Sequence, residues 1–395
     1  MRRFYTYALL LGIMTGVCAC QGGNNEPVEE EGMGGTGSIA CAPNVVEVDD
    51  AGGYTFVAVQ SKKAWTVSAN RAWVHVTPEK ADGDNTPMIT VDAGYADVAV
   101  LTFTSGKASA KVLVGRGMEP PVYTLKTADS VQGGLPGLFS VAPNRRVAFS
   151  QGNLQYCAAT NRWQFAAHQQ DVIGDANAGI SATYTGWIDL FGWGTSGWNS
   201  GALSYQPWST SEQDYEYWPG NNSSKSLTQD CAQADWGVCN AIYNGGNTAG
   251  MWRTLTGDEL EYLFFHRPNA RYLRGYGSLD NVRGVFLLPD NWYYLSNTYL
   301  NPGLSWTDNT LNNAQFAEFQ QSGAVFLPCG GFRSGLNVLA ANMPYVYGYY
   351  WTSTAADATN AYGFDLNNGV AKYAMPRHTG ANVRLVRDYV EQQAQ

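Results

Sequence analysis

Between Cys41 and Gly117 the chain alternates apolar and polar side chains in short runs that turns keep interrupting. The runs are Val46–Val48, Tyr54–Val59, Trp65–Val67, Trp73–Val76, Ile89–Val91, Leu101–Thr104 and Ala110–Val114. A period of two sends successive side chains to opposite faces, so each run reads as a strand with one buried face. Asp49-Asp50-Ala51-Gly52-Gly53, Pro78 to Asn85 and Ser105-Gly106-Lys107 supply the turns. Strands at this spacing predict an antiparallel, immunoglobulin-like sandwich over residues 41–118. An exposed Trp65 or Trp73 could stack on a sugar face, but the alternation places both rings between the sheets, where burial stabilises most. Asp82-Gly83-Asp84-Asn85 has calcium-type oxygens in too short a run for a calcium loop, and it reads as a turn.

The consecutive prolines of Met118-Glu119-Pro120-Pro121 resist continuation of either flanking element and open a linker over residues 119–136. From 137 to 390 the chain is rich in Gly, Trp, Tyr and Asn, with short apolar strands among long loops. One helix is well signalled: Thr256 and Glu259 make a capping-box pattern, and Leu260, Leu263 and Phe264 share a face. A second is expected from Ala234 to Tyr243, stopped by Asn244-Gly245-Gly246.

The net charge is −9 and only 14% of residues are charged, so the chain lacks the basic surface that phosphate backbones require, and nucleic acid is excluded as a partner. Beyond residue 20 the cysteines are Cys41, Cys157, Cys231, Cys239 and Cys329, with no C-x-x-C pair, so neither a metal nor a disulfide framework is implied. On one continuous helix Cys231 and Cys239 would lie about 12 Å apart, beyond disulfide reach, and bridging them needs a break near Asp235. The histidines, His75, His168, His266 and His378, form no H-E-x-x-H pattern, no G-x-S-x-G elbow occurs, and no carboxylate pair stands out. The expectation is a protein that is not an enzyme and holds no cofactor or metal.

At the other end, Arg2 and Arg3 precede an apolar run from Tyr7 to Val17 that is too short to span a bilayer, followed by Val17-Cys18-Ala19-Cys20. This segment, residues 1–20, resembles a bacterial lipoprotein signal peptide. The resemblance implies cleavage and lipidation at Cys20, because Ala19 is the small residue that precedes the modified cysteine. More than one acyl chain gives stable membrane anchoring. Residues 21–40, with Glu29-Glu30-Glu31, are too polar to offset the entropy of ordering and read as a flexible acidic tether. The tether is either an ordinary linker or, by resemblance, the export signal of lipoproteins that reach the outer face of the outer membrane in Gram-negative anaerobes. Both readings place the folded part outside the cytoplasm.

Trp65-Thr66-Val67-Ser68, Ala72-Trp73-Val74, Thr104-Ser105-Gly106 and Val114-Gly115-Arg116-Gly117 resemble the BACON family of immunoglobulin-like domains. Members have been associated with carbohydrate or mucin binding; the buried tryptophans favour a spacer here. In the second region the segments that carry a resemblance are Val147 to Tyr156, Gly186 to Thr195, Ala234-Asp235-Trp236-Gly237, Leu288 to Trp292, Tyr350 to Thr354 and Val383-Arg384-Leu385-Val386. Together they resemble the "major paralogous domain" proteins, a branch of the C-type-lectin-like fold shared with formylglycine-generating enzymes. That resemblance implies an α+β C-type-lectin-like domain over residues 137–390. It does not carry activity: the enzymes hold copper with a cysteine pair near the C-terminal core, and there this chain offers only Cys329. The Glu-Pro-Asn or Gln-Pro-Asp triplets of calcium-dependent lectins are missing too.

Asn337, Asn342, Tyr345, Tyr347, Tyr349, Asp357, Asn360, Tyr362, Asn367, Asn368, Tyr373 and Asn382 are spread through the last strands and loops, a composition like that of antibody paratopes. Trp351, Ser353, Phe364, Val383 and Leu385 are expected to be buried beneath them, Tyr350 and Arg384 to be structural, and Asn367-Asn368-Gly369 could be a hairpin turn. The separation of scaffold from surface resembles the variable proteins of diversity-generating retroelements. The expected function is therefore a surface-exposed lipoprotein presenting a ligand-binding domain for a protein or glycan, as in adhesion. The alternatives are a glycan-binding accessory, a polysaccharide-processing protein or a structural subunit. Labelling cells with a clickable fatty acid checks the anchor: the wild-type protein takes up label and partitions into detergent, and Cys20→Ala loses both.

Overall fold

The structure, a computed structural model, describes residues 39–48, 50–94, 98–115, 128, 130–181, 183–198, 224–292, 300, 306–339, 347–366 and 370–390. Cys20, the signal segment and the tether as far as residue 38 lie outside the described residues. The chain is mostly β and divides into two compact units, Met1–Leu125 and Lys126–Gln395. Among the described residues no helix is long and apolar enough to cross a membrane.

The first unit is a β-rich, immunoglobulin-like sandwich. Its described part has ten strands where the alternation alone predicts seven. The run Tyr54–Val59 is two strands, because the backbone N–H of buried Val57 leaves the ladder for the carbonyl of Pro87 (3.2 Å). Gly53–Phe56 then pairs with Met88–Val91, and Ala58–Ser61 with Ile39–Ala42. Ile39 is buried, so the sandwich begins inside the stretch expected as tether. The turn from Pro78 to Asn85 also holds a strand, Lys80–Asp82, secured when the Trp65 indole donates to Gly83 O (3.0 Å) and Ser61 N to Asp84 Oδ1 (2.9 Å). The expectation of wholly antiparallel pairing is corrected at Val45–Glu47, which runs parallel to Ala108–Gly115. Trp65, 1% exposed, packs edge-on to Phe103 in the core, and Trp73 is buried in the same cluster.

The second unit carries five small sheets among its described residues. Its start and end lie side by side: Arg145–Phe149 pairs antiparallel with Leu385–Tyr389, which also pairs with Arg253–Thr254. Ala128 and residues 130–136, expected as linker, fold with this unit: Ala128 N donates to Pro136 O (2.8 Å), Leu135 N to Phe149 O (2.9 Å), and the Ala128 and Leu135 side chains are buried. The capping box is present on helix Gly257–Glu261, which runs on through a π-helical turn, Tyr262–His266. The helix expected over 234–243 is only Trp236–Cys239, because Asp235 and Asn240 are both extended and Asp235 caps the short turn through Gly237 N. The break near Asp235 brings no disulfide; Cys41, Cys157, Cys231, Cys239 and Cys329 are free thiols. Helix Asn313–Gln321, opened by an Asn312–Gln315 capping box, was not expected from the sequence.

A charge network ties these closing strands to the capped helix. Arg253 donates to Glu259 through Nη1 (2.7 Å) and Nη2 (2.9 Å), and to Asp388 through Nε (2.9 Å) and Nη2 (2.6 Å). Glu259, with a side chain 6% exposed, also accepts from Thr256 N (2.9 Å) and lies 3.0 Å from Arg145 Nη2. Glu259→Ala leaves Arg253 only its Asp388 partner and opens the helix cap, so urea unfolding should show a loss of about 2 kcal/mol, with Glu259→Gln milder. The hydrogen bond from Arg253 holds the Asp388 carboxyl below its usual range. That contribution is present above the unfolded carboxylate value, about pH 4, and is lost as pH falls through the lowered folded one. Asp388→Asn should accordingly flatten the loss of stability measured below about pH 4.

Candidate ligand-binding surface

Tyr349–Ala355, Asn360–Asp365 and Ala371–Pro376 form a three-stranded antiparallel sheet wedged between two core clusters. Tyr350 and Phe364 face one cluster, and Trp351, Ala361 and Met375 the other. Trp351 is fixed by its indole, which donates to Phe191 O (2.7 Å). Ser353, Val383 and Leu385 are buried, as their alternation predicts. On the outer strand, Ala371–Pro376, only Met375 is buried.

The register sets Tyr349 opposite Asp365 and Tyr373 opposite Gly363, so all three side chains leave the sheet on the Trp351 side. Here the core gives way to solvent: Tyr349 and Asp365 are half-buried and Tyr373 is 58% exposed. Tyr347, two residues before Tyr349, joins it with near-parallel rings, centroids 6.4 Å apart and planes at 17°. Phe332 stands almost perpendicular to both, 5.1 Å from Tyr347 at 80° and 5.2 Å from Tyr349 at 87°. A backbone bridge between Gly331 and Gly348 and the bond from Gly331 N to Tyr347 O (2.9 Å) bring these strands together. Gly348 is required by crowding, since a Cβ there would lie 2.8 Å from Cys329 Sγ. Burial first, then the Asp365 carboxylate and the Tyr347 and Tyr373 hydroxyls, push the Tyr349 hydroxyl up to about 12. Tyr349 therefore stays neutral at physiological pH.

The other expected contact residues that the structure describes are dispersed. Asn382 is corrected outright: it is 0% exposed, donates from N (2.9 Å) and Nδ2 (3.1 Å) to Tyr349 O, and its Oδ1 accepts from Asn153 Nδ2 (3.3 Å). It holds the frame. Asp357 and Asn360 lie at the opposite end of the hairpin, roughly 20 Å from Tyr349 at the usual rise per residue. There the Asn360 amide donates to both Asp357 oxygens (3.1 and 2.9 Å), while hydrogen bonds from Asn360 and Thr359 lower the Asp357 carboxyl to about 2. Arg377, packed over the Trp193 ring, binds the Asp357 carbonyl, so this end is a braced turn. Tyr362 projects to the other face beside Lys372, which pairs with Glu261 (2.6 Å) and Asp258 (3.4 Å). Asn337 is exposed on the short strand Asn337–Leu339. Asn342, Tyr345, Asn367 and Asn368 lie outside the described residues. Of the twelve expected contacts, the structure thus gathers Tyr347, Tyr349 and Tyr373, and adds Phe332 and Asp365. Gly330-Gly331 before Phe332 was the available signal of a close strand approach.

Among the described residues no three His, Cys, Asp or Glu side chains converge as a metal site. No protein-family model matches the chain, and no curated protein matches it. Solved structures share short stretches of it. The Bacteroides ovatus GH5 xyloglucanase in complex with a XXXG heptasaccharide is 18% identical over 24% of this chain and 22% of its own, with a TM-score of 0.19. The Caenorhabditis elegans MSP-domain protein SSP-19 is 13% identical over 19% of this chain and 96% of its own, with a TM-score of 0.18. The periplasmic chaperone SfaE is 14% identical over 30% and 74%, with a TM-score of 0.17.

The division between frame and surface is measurable. Asn382→Ala removes buried hydrogen bonds and should lower stability by about 2 kcal/mol, whereas Tyr373→Ala should change it by less than about 0.5 kcal/mol in the same denaturant titration.

Proposed function

We propose that the chain is a surface-displayed lipoprotein, anchored through Cys20 to the outer membrane, in which a BACON-like sandwich spaces a non-catalytic, C-type-lectin-like ligand-binding head from the lipid. The observation that carries this reading is the convergence of Phe332, Tyr347 and Tyr349, from two separate stretches of chain, beside Asp365, with Tyr373 on the same face of the sheet. Tyrosine gives broad amphipathic contact with few rotors to freeze, which suits recognition better than bond-breaking. The frame below is held by backbone and buried side chains, so the rings above can differ without unfolding it. That property also suits a diversified face of the retroelement type.

Screening the full chain against glycan and surface-protein arrays tests the reading. Binding without turnover, weakened at least about tenfold by Tyr349→Ala, supports it; release of product from a polysaccharide overturns it in favour of catalysis.

A further inference from the structure

We infer that the aromatic corner formed by Phe332, Tyr347 and Tyr349, with Asp365 and Tyr373 on the same face of the sheet, binds the quaternary ammonium head of a small organic cation; this rests on the ligand-binding reading above and names its ligand chemistry. Ring orientation is the first ground. Pyranose recognition by stacking uses a flat platform, but Phe332 stands at 80° and 87° to the two tyrosines. A compact cation clad in methyl groups can instead touch ring faces turned in different directions. Cation–π attraction acts within about 6 Å of a ring centroid, and the three centroids of this corner lie 5.1 to 6.4 Å apart, so one head group can reach more than one ring.

Charge is the second ground. Ring faces are negative, and Asp365 sits opposite Tyr349 in the same ladder, adding a carboxylate that acts through space without requiring direct contact. The cation of the outer strand, Lys372, belongs to the other face, where Glu261 and Asp258 hold it. The chain as a whole is acidic, which raises the local concentration of cations over anions. The chemistry selected is that of choline, either free or as the head group of a phosphocholine lipid.

Choline and its neutral isostere 3,3-dimethylbutan-1-ol have the same shape and differ in charge. Titrating each into the full chain, followed by tyrosine fluorescence or NMR, should show choline binding at least about tenfold more tightly. Tyr349→Ala and Phe332→Ala should each abolish the difference, and Asp365→Asn should weaken choline about threefold or more and flatten its salt dependence. Asp357→Asn, at the far end of the hairpin, should leave it unchanged. Phosphatidylcholine vesicles set against phosphatidylglycerol vesicles separate a lipid source from a free one. Equal affinity for the two probes, or choline binding indifferent to Tyr349→Ala, overturns the inference. If an arrayed glycan binds through these same rings while choline does not, the inference fails and the ligand-binding reading stands; if neither glycan, protein nor choline binds, both fail.

Discussion

The second unit depends on a buried polar network that links Asn153, Gln169, Tyr350, Asn382 and Arg384. The Tyr350 hydroxyl donates to Pro328 O (2.8 Å), Asn153 Nδ2 donates to the Tyr350 oxygen (3.0 Å), and Arg384 Nη2 donates to Gln169 Oε1 (2.8 Å). Gln169 Oε1 in turn accepts from Phe326 N (2.7 Å). Each bond joins stretches distant in sequence, so strands near residues 153, 326, 350 and 384 must meet in one register or leave polar groups buried without partners. Burial lowers the Arg384 guanidinium to about 10, which still leaves it protonated at neutral pH and keeps it a donor. Apolar packing alone would tolerate a slipped sheet; this network does not.

Elements fixed by local pattern were legible in the sequence. The strands of the first unit and the Thr256–Glu259 capping box need only nearby residues, and both are present. Local pattern failed where a distant partner decided. Val57 breaks a long apolar run because Pro87 takes its N–H, and Asp235 cuts a helix because its carboxylate also accepts from Thr254 N (2.8 Å). Composition failed differently at Asn382. An asparagine among tyrosines looks like a contact residue, yet its amide matches backbone groups of Tyr349 and Gly331 inside the sheet. Phe332 and Asp365 carried no signal of their own, because their proximity to the tyrosines arises from cross-strand register.

Tyr349 shows how the frame and the exposed surface are separated. Its carbonyl accepts from Asn382 in the interior, while its ring meets Tyr347 and Phe332 at the edge of solvent. Tyr347 and Tyr373 are built alike: the first is placed by its carbonyl bond to Gly331 N, the second by ladder bonds opposite Gly363. In each case main-chain atoms do the positioning and side-chain atoms make the surface. A residue of another type at these three positions would keep the backbone bonds, and the energetic effect would fall on whatever the rings touch outside the protein. Phe332 differs, since its ring packs edge-on against both tyrosines. Change at Phe332 would alter the shape of the corner itself, whereas change at Tyr373 would alter only its rim, and affinity should therefore respond more steeply to Phe332 than exposure alone would suggest.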